Sequence, residues 1–146
     1  GDLAQPHRQR PVADVLSRYL GRSGHRVALH RVVARCVAGQ EIHRANADGS
    51  GNEILVRGLC DPQGLAICNA AGKLYWTDTG THQIYRANLN GSGRQILIRW
   101  SHHPRGVTID SVGSKMYWIE PGNHQIRRSN LDGSENQEVV NWAPNP

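Results

Sequence analysis

The sequence predicts an all-β fold assembled from repeated four-stranded sheets, and three observations carry that expectation. The first is a period of 42 residues: Ile42-His43-Arg44-Ala45-Asn46 returns as Ile84-Tyr85-Arg86-Ala87-Asn88 and again as Ile126-Arg127-Arg128-Ser129-Asn130. The second is a turn kept in register, Asp48-Gly49-Ser50, Asn90-Gly91-Ser92 and Asp132-Gly133-Ser134. The third is the aromatic pair Tyr75-Trp76, repeated as Tyr117-Trp118, with Pro62 and Pro104 opening the two units. A period in the low forties with strand-like content marks propeller blades. A blade cannot bury both of its faces alone and needs neighbours stacked against it.

The unit from Pro62 to His103 shows why each element forms. Gly64-Leu65-Ala66-Ile67-Cys68 is short and apolar, suiting an innermost strand buried on both faces. After the turn at Asn69-Ala70-Ala71-Gly72, Lys73-Leu74-Tyr75-Trp76-Thr77-Asp78 has the aromatic and β-branched content of a strand. Thr79-Gly80-Thr81 then turns the chain into Gln83–Asn88. Asn90-Gly91-Ser92-Gly93 has tight-hairpin chemistry, with glycine available for positive φ. Arg94–Arg99 closes the sheet and ends in charge, as edge strands often do. These four runs make an antiparallel meander, the propeller blade.

Residues 104–146 repeat the plan, whereas residues 41–61 carry only its outer half. Ahead of them, Val27-Ala28-Leu29 imitates an inner strand and Val32-Val33 a second one, with a shortened turn and no Tyr-Trp. This part is expected to be a degenerate half-blade, giving two full blades and a partial third.

Residues 1–40 differ in character. They hold seven arginines against Asp2 and Asp14, a balance of +5, while residues 41–146 hold ten basic and ten acidic residues. Val12, Val15, Leu16 and Tyr19 share one face of a short helix expected over residues 11–20, started by Pro11 and stopped by Gly21. The segment reads as that helix on a surface, as a disordered basic arm, as a cap on an open blade, or as a flank unrelated to the repeats. Its arginines lack interleaved aromatics, so nucleic acid is not the expected partner. No apolar run approaches the ~20 residues of a membrane helix, and the first residues do not read as an intact secretory signal. Cys36, Cys60 and Cys68 cannot all pair within one chain, and Cys60 and Cys68 are poorly spaced for a bridge, so free thiols are expected.

Lys73-Leu74-Tyr75-Trp76-Thr77-Asp78, Gly80, the Ile84-to-Asn88 strand, Asn90-Gly91-Ser92 and Pro104-Arg105-Gly106-Val107 together resemble the YWTD repeat. This is the low-density lipoprotein receptor class B repeat, and the likeness spans roughly residues 41–146. The resemblance implies a partial six-bladed propeller, here two full blades plus a partial one, serving as a non-enzymatic protein-binding scaffold. It also implies an extracellular, cell-surface or periplasmic location, with no small-molecule cofactor. In the family Tyr75-Trp76 would wedge between blades, and Thr77 and Asp78 would satisfy nearby backbone groups. The second signature departs from the pattern as Tyr117-Trp118-Ile119-Glu120, which suggests a blade held more by packing than by those hydrogen bonds. Three units or fewer cannot close a ring. Further copies of the chain, as a dimer or trimer, or the remainder of a longer propeller are therefore expected to cover the open faces.

In this strand order, the loops after the second and fourth strands share one end. That end collects His82, Trp100, His102, His103, Arg105, Glu120 and His124, a candidate protein-binding face whose histidines would change charge between about pH 5 and 8. The plainer reading makes His82 and His124 turn residues, and Trp100, which recurs as Trp142, a rim residue. Metal binding is not expected, because the adjacent His102 and His103 point apart and the Asp-Gly-Ser turns lack a calcium loop's alternating carboxylates. Asn90-Gly91-Ser92 is a glycosylation sequon, and also simply a hairpin turn. The inner strands offer Asp110 as their one obvious acid, and no nucleophile elbow or phosphate loop is present, so catalysis is not expected. A carbohydrate-binding propeller using Trp100 and Trp142, and less so a propeller hydrolase or lactonase, stand as alternatives.

Overall fold

The computed structural model describes residues 26–29, 32–37 and 41–142, with side chains from residue 41 onward. The helix expected over 11–20, the basic arm and Cys36's thiol lie outside the described residues and side chains. Strands β1 (Arg26–Leu29), β2 (Val32–Val37), β3 (Glu41–Asn46) and β4 (Glu53–Val56) form a first sheet. Strands β5 (Pro62–Cys68), β6 (Lys73–Asp78), β7 (Gln83–Asn88) and β8 (Gln95–Ile98) form a second. Strands β9 (Val107–Asp110), β10 (Lys115–Glu120), β11 (Gln125–Asn130) and β12 (Gln137–Asn141) form a third. In each, sheet order follows chain order and the pairing is antiparallel.

The first sheet goes further than the half-blade expected from sequence. β1 pairs with β2 from Arg26↔Arg35 to Leu29↔Val32, and β2 runs along the whole of β3. Leu29 and Val32 are register partners, so the pairing of β1 with β2 extends to the facing ends of both strands.

The second sheet lies between the other two, with β5 against β1 and β2 on one side and β9 on the other. Alternation along β6 explains the arrangement, because successive side chains leave a strand on opposite faces. Leu74 and Trp76 join Leu65, Tyr85 and Ala87 in a cluster with Ile42, Val56 and Leu59 from the first repeat. Tyr75 joins Cys68, Ile84 and Ile98 in a cluster with Met116 and Trp118 from the third. The Tyr-Trp pair thus serves two interfaces at once. Trp76 also stacks on Tyr85, its cross-strand partner, with ring centroids 5.3 Å apart.

A bulge recurs at Ile42/His43, Ile84/Tyr85 and Ile126/Arg127, where each outer strand joins its neighbour. Such bulges increase local twist. At the other end of the blade, the hairpins at Gly91 and Gly133 lean on the carbonyls of Leu55 and Leu97 in the preceding sheet. Both glycines combine this close approach with positive φ (84° and 87°), so a side chain is excluded twice over.

The third sheet has no neighbour on its far side among the described residues. β12 is exposed along its length, and Ile119, Val140 and Trp142 stay accessible.

Candidate functional site

Thr77 and Asp78 are buried at the end of β6. The Asp78 carboxylate accepts backbone N–H bonds from Cys60 (2.9 Å), Asp61 (3.0 Å) and Thr81 (3.1 Å). Thr77 Oγ1 accepts from the Gly64 amide at 2.8 Å. One side-chain pair therefore ties the segment opening the blade to its second strand and to the turn that follows. Thr79 Oγ1 extends the network to the next sheet by donating to the Pro104 carbonyl at 2.7 Å. Tyr75 is buried one residue earlier, and burial pushes its hydroxyl pKa up, with the nearby Arg86 opposing the shift. That guanidinium reaches the third repeat, donating to the Leu131 carbonyl at 3.0 Å.

Glu120 holds the equivalent place in the third sheet, and the expectation of a blade held mainly by packing needs correcting there. Its carboxylate is buried and accepts from Ser101 Oγ (2.5 Å), Trp118 Nε1 (3.0 Å) and Asn123 Nδ2 (3.4 Å), with Arg127 Nε 3.9 Å away. The extra methylene carries the acid past the backbone amides to side-chain donors, one of them the indole of its own signature. The indole nitrogen of Trp76 has no such partner among the described residues.

The loop end gathers several predicted residues in an uncommon backbone state. His82, Trp100, His103 and His124 all have positive φ, between 52° and 63°. Left-handed backbone is costly for bulky side chains. His82 and His124 earn structural use, since their carbonyls accept from the amides of Ser101 (2.9 Å) and Trp142 (3.0 Å). This fits the turn-residue reading of both. Trp100 makes no comparable case: its side chain is 85% exposed, and Gly58 fills its place one repeat earlier at φ 67°.

His82 and His103 come together, their rings edge to face at 4.8 Å between centroids. The turn Pro121–Asn123 approaches the same spot, with the Gly122 Cβ position 3.2 Å from His103 Cδ2. His102 is exposed between the buried Ser101 and Pro104, and Arg105 is exposed just after Pro104. His124 repeats the geometry of His82 one blade later. Ser101 joins both halves of this end, through its amide to His82 and its hydroxyl to Glu120, and nothing in the sequence singled it out: the equivalent position is Leu59.

Asp110, the inner-strand acid, accepts from the Val112 and Gly113 amides and so caps its own turn. Asp48 and Asp132 spend an oxygen on the amide and hydroxyl of Ser50 and Ser134, bonds that hold both carboxyl pKa values down. Asn90 Oδ1 does the same for Ser92, at 3.0 Å and 2.6 Å. Cys60 and Cys68 are free thiols. Among the described residues, no three His, Cys, Asp or Glu side chains cluster to hold a metal ion, and no helix is long and apolar enough to cross a membrane.

Known proteins place this geometry. The family model described as low-density lipoprotein receptor repeat class B matches residues 72–111. No curated protein matches the chain. Among solved structures, one from a nidogen/laminin complex is similar at TM-score 0.73 and 25% identity, over 78% of this chain and 45% of that one. A TolB-type protein from Agrobacterium tumefaciens (TM-score 0.65, 14% identity, 74% of this chain and 44% of that one) shares the fold. So does luciferin-regenerating enzyme (TM-score 0.63, 14% identity, 79% and 45%). The chain spans less than half the length of each of these structures. The aromatic pair, the Thr-Asp anchor, the rim hairpin and the sheet order thus converge with these likenesses on a β-propeller portion that carries, at residues 72–111, a YWTD repeat of the low-density lipoprotein receptor class B type.

Proposed function

We propose that this chain is a non-enzymatic protein-binding scaffold, engaging its partner through the loop end that carries His82, Trp100, His102, His103, Arg105 and His124. The observation that carries the reading is Trp100: an indole 85% exposed, on a left-handed backbone that the preceding repeat assigns to glycine. Exposed tryptophan beside arginine is the composition of interface hot spots. The nidogen/laminin structure adds support, since that similar protein was solved in complex with another protein.

Histidine is the side chain that changes charge near neutrality, so binding is expected to weaken in mild acid. The rings of His82 and His103 lie 4.8 Å apart, His102 and Arg105 flank them in sequence, and Glu120 is already bonded to Ser101 and Trp118. A second copy of the chain, or the rest of a longer propeller, covers the open face of the third sheet. The setting is extracellular or cell-surface.

The test is capture of secreted and cell-surface proteins on the immobilised chain, compared with Trp100→Ala and with His102→Ala/His103→Ala, each checked for native circular dichroism. Trp100→Ala is expected to weaken capture at least tenfold. Equal capture by all three proteins overturns the reading, and Trp100-dependent binding of glycans alone moves it to the carbohydrate alternative.

A further inference from the structure

The three rim hairpins share their side-chain bonding, and the residue that accepts those bonds differs among them in one position, the second oxygen of an aspartate or the nitrogen of an asparagine. In each, the first residue's Oδ1 accepts from the amide and hydroxyl of the serine two positions on: 2.9 and 2.7 Å for Asp48–Ser50, 3.0 and 2.6 Å for Asn90–Ser92, 2.9 and 2.6 Å for Asp132–Ser134. A second side-chain bond from the preceding asparagine is also common, from Asn46, Asn88 and Asn130 Nδ2 to the same serine hydroxyls. The turn therefore needs an acceptor and a serine, and aspartate supplies the acceptor in two cases of three. Turn geometry does not account for an amide at residue 90.

We infer that Asn90 is an N-glycan acceptor, the one Asn-x-Ser/Thr sequence in the chain. The two turn bonds fall on Oδ1, while Nδ2, the atom that would carry the sugar, is the group absent from the other two hairpins. Asn90 and the run from Ser92 to Ile96 are exposed, so a bulky polar chain leaves Nδ2 into solvent. In the transfer, Nδ2 forms a bond to the anomeric carbon of a lipid-pyrophosphate-linked oligosaccharide. The lipid pyrophosphate departs, and one amide proton is released to solvent. No oxidant or reductant is needed.

The placement also has a consequence for recognition. The hairpin follows the third strand of its blade, so it lies at the end opposite the loops that carry His82 and Trp100. A glycan there covers the far rim and leaves the proposed binding end open.

The experiment is expression of the full chain behind a secretion signal in a eukaryotic host. Intact mass is then read on secreted and cell-retained material, before and after peptide-N-glycosidase treatment. The expected result is one glycan's mass increment, removed by the glycosidase and lost in Asn90→Asp and Ser92→Ala. Asn90→Asp reproduces the residue of the two equivalent hairpins, so native circular dichroism is expected to persist and to separate loss of sugar from loss of fold. Unmodified mass in both fractions overturns the proposal, as does an increment that survives Asn90→Asp.

Discussion

The second and third sheets share a plan and solve one problem differently. Both end their second strand in a buried acid. Asp78 spends itself on three backbone amides, two belonging to the segment that opens its own blade. Glu120, one methylene longer, spends itself on side chains, including its own blade's indole, whose Trp76 counterpart has no partner among the described residues. A repeat can thus keep a buried carboxyl in place while exchanging every donor that satisfies it. The two sheets differ again at their inner strands. A Cβ at Gly64 would lie 2.8 Å from the Val107 amide and 2.9 Å from Thr77 Oγ1, whereas one at Gly106 would meet nothing within 4 Å. Among the described residues, the second blade is sealed on both faces and the third on one.

The acids should show the largest effect. Asp78→Ala strands three amides at once and is expected to cost about 3 kcal/mol or more. Glu120→Gln keeps an acceptor for Ser101 and Trp118 and should cost about 1 kcal/mol. Urea unfolding of the full chain measures both, and equal losses would mean that the two acids do the same job. The inner glycines come next. Gly64→Ala should destabilise by about 1–3 kcal/mol through overpacking, while Gly106→Ala should leave the isolated chain unchanged. A matching loss at Gly106, accompanied by a fall in mass by light scattering, would show that another sheet seats there in solution.

The smallest effect separates the rim hairpins. Asp48 and Asp132 have carboxyl pKa values lowered by their serine bonds, so those bonds are present above the ordinary carboxylate range and are lost as pH falls through the lowered values. Asn90 has no proton to gain. Amide resonances of Ser50 and Ser134 should therefore titrate in acid while that of Ser92 stays in place.

Much of this architecture was legible before any coordinates, because a repeat is visible wherever the same local chemistry recurs. The strands of the second and third units and the rim turns follow from alternation and glycine placement, whereas the split of Tyr75 and Trp76 between two interfaces came only with the structure. The completeness of the first sheet was not legible. Its β1 and β2 lack the signature, and strand pairing depends on backbone partners supplied by β3, not on side-chain identity.

At the loop end, sequence brought the histidines and Trp100 to one side but could not pair them. Their proximity to one another depends on how adjacent sheets twist, as with the packing of His82 on His103. By itself, the sequence determined the repeat, the class of fold and the residue types that each blade buries, since these arise from interactions a few residues apart. Tertiary structure alone decided which donors satisfy Glu120, which glycine must remain glycine and which face stays open. Each of those depends on what a neighbouring sheet, distant along the chain, places against it.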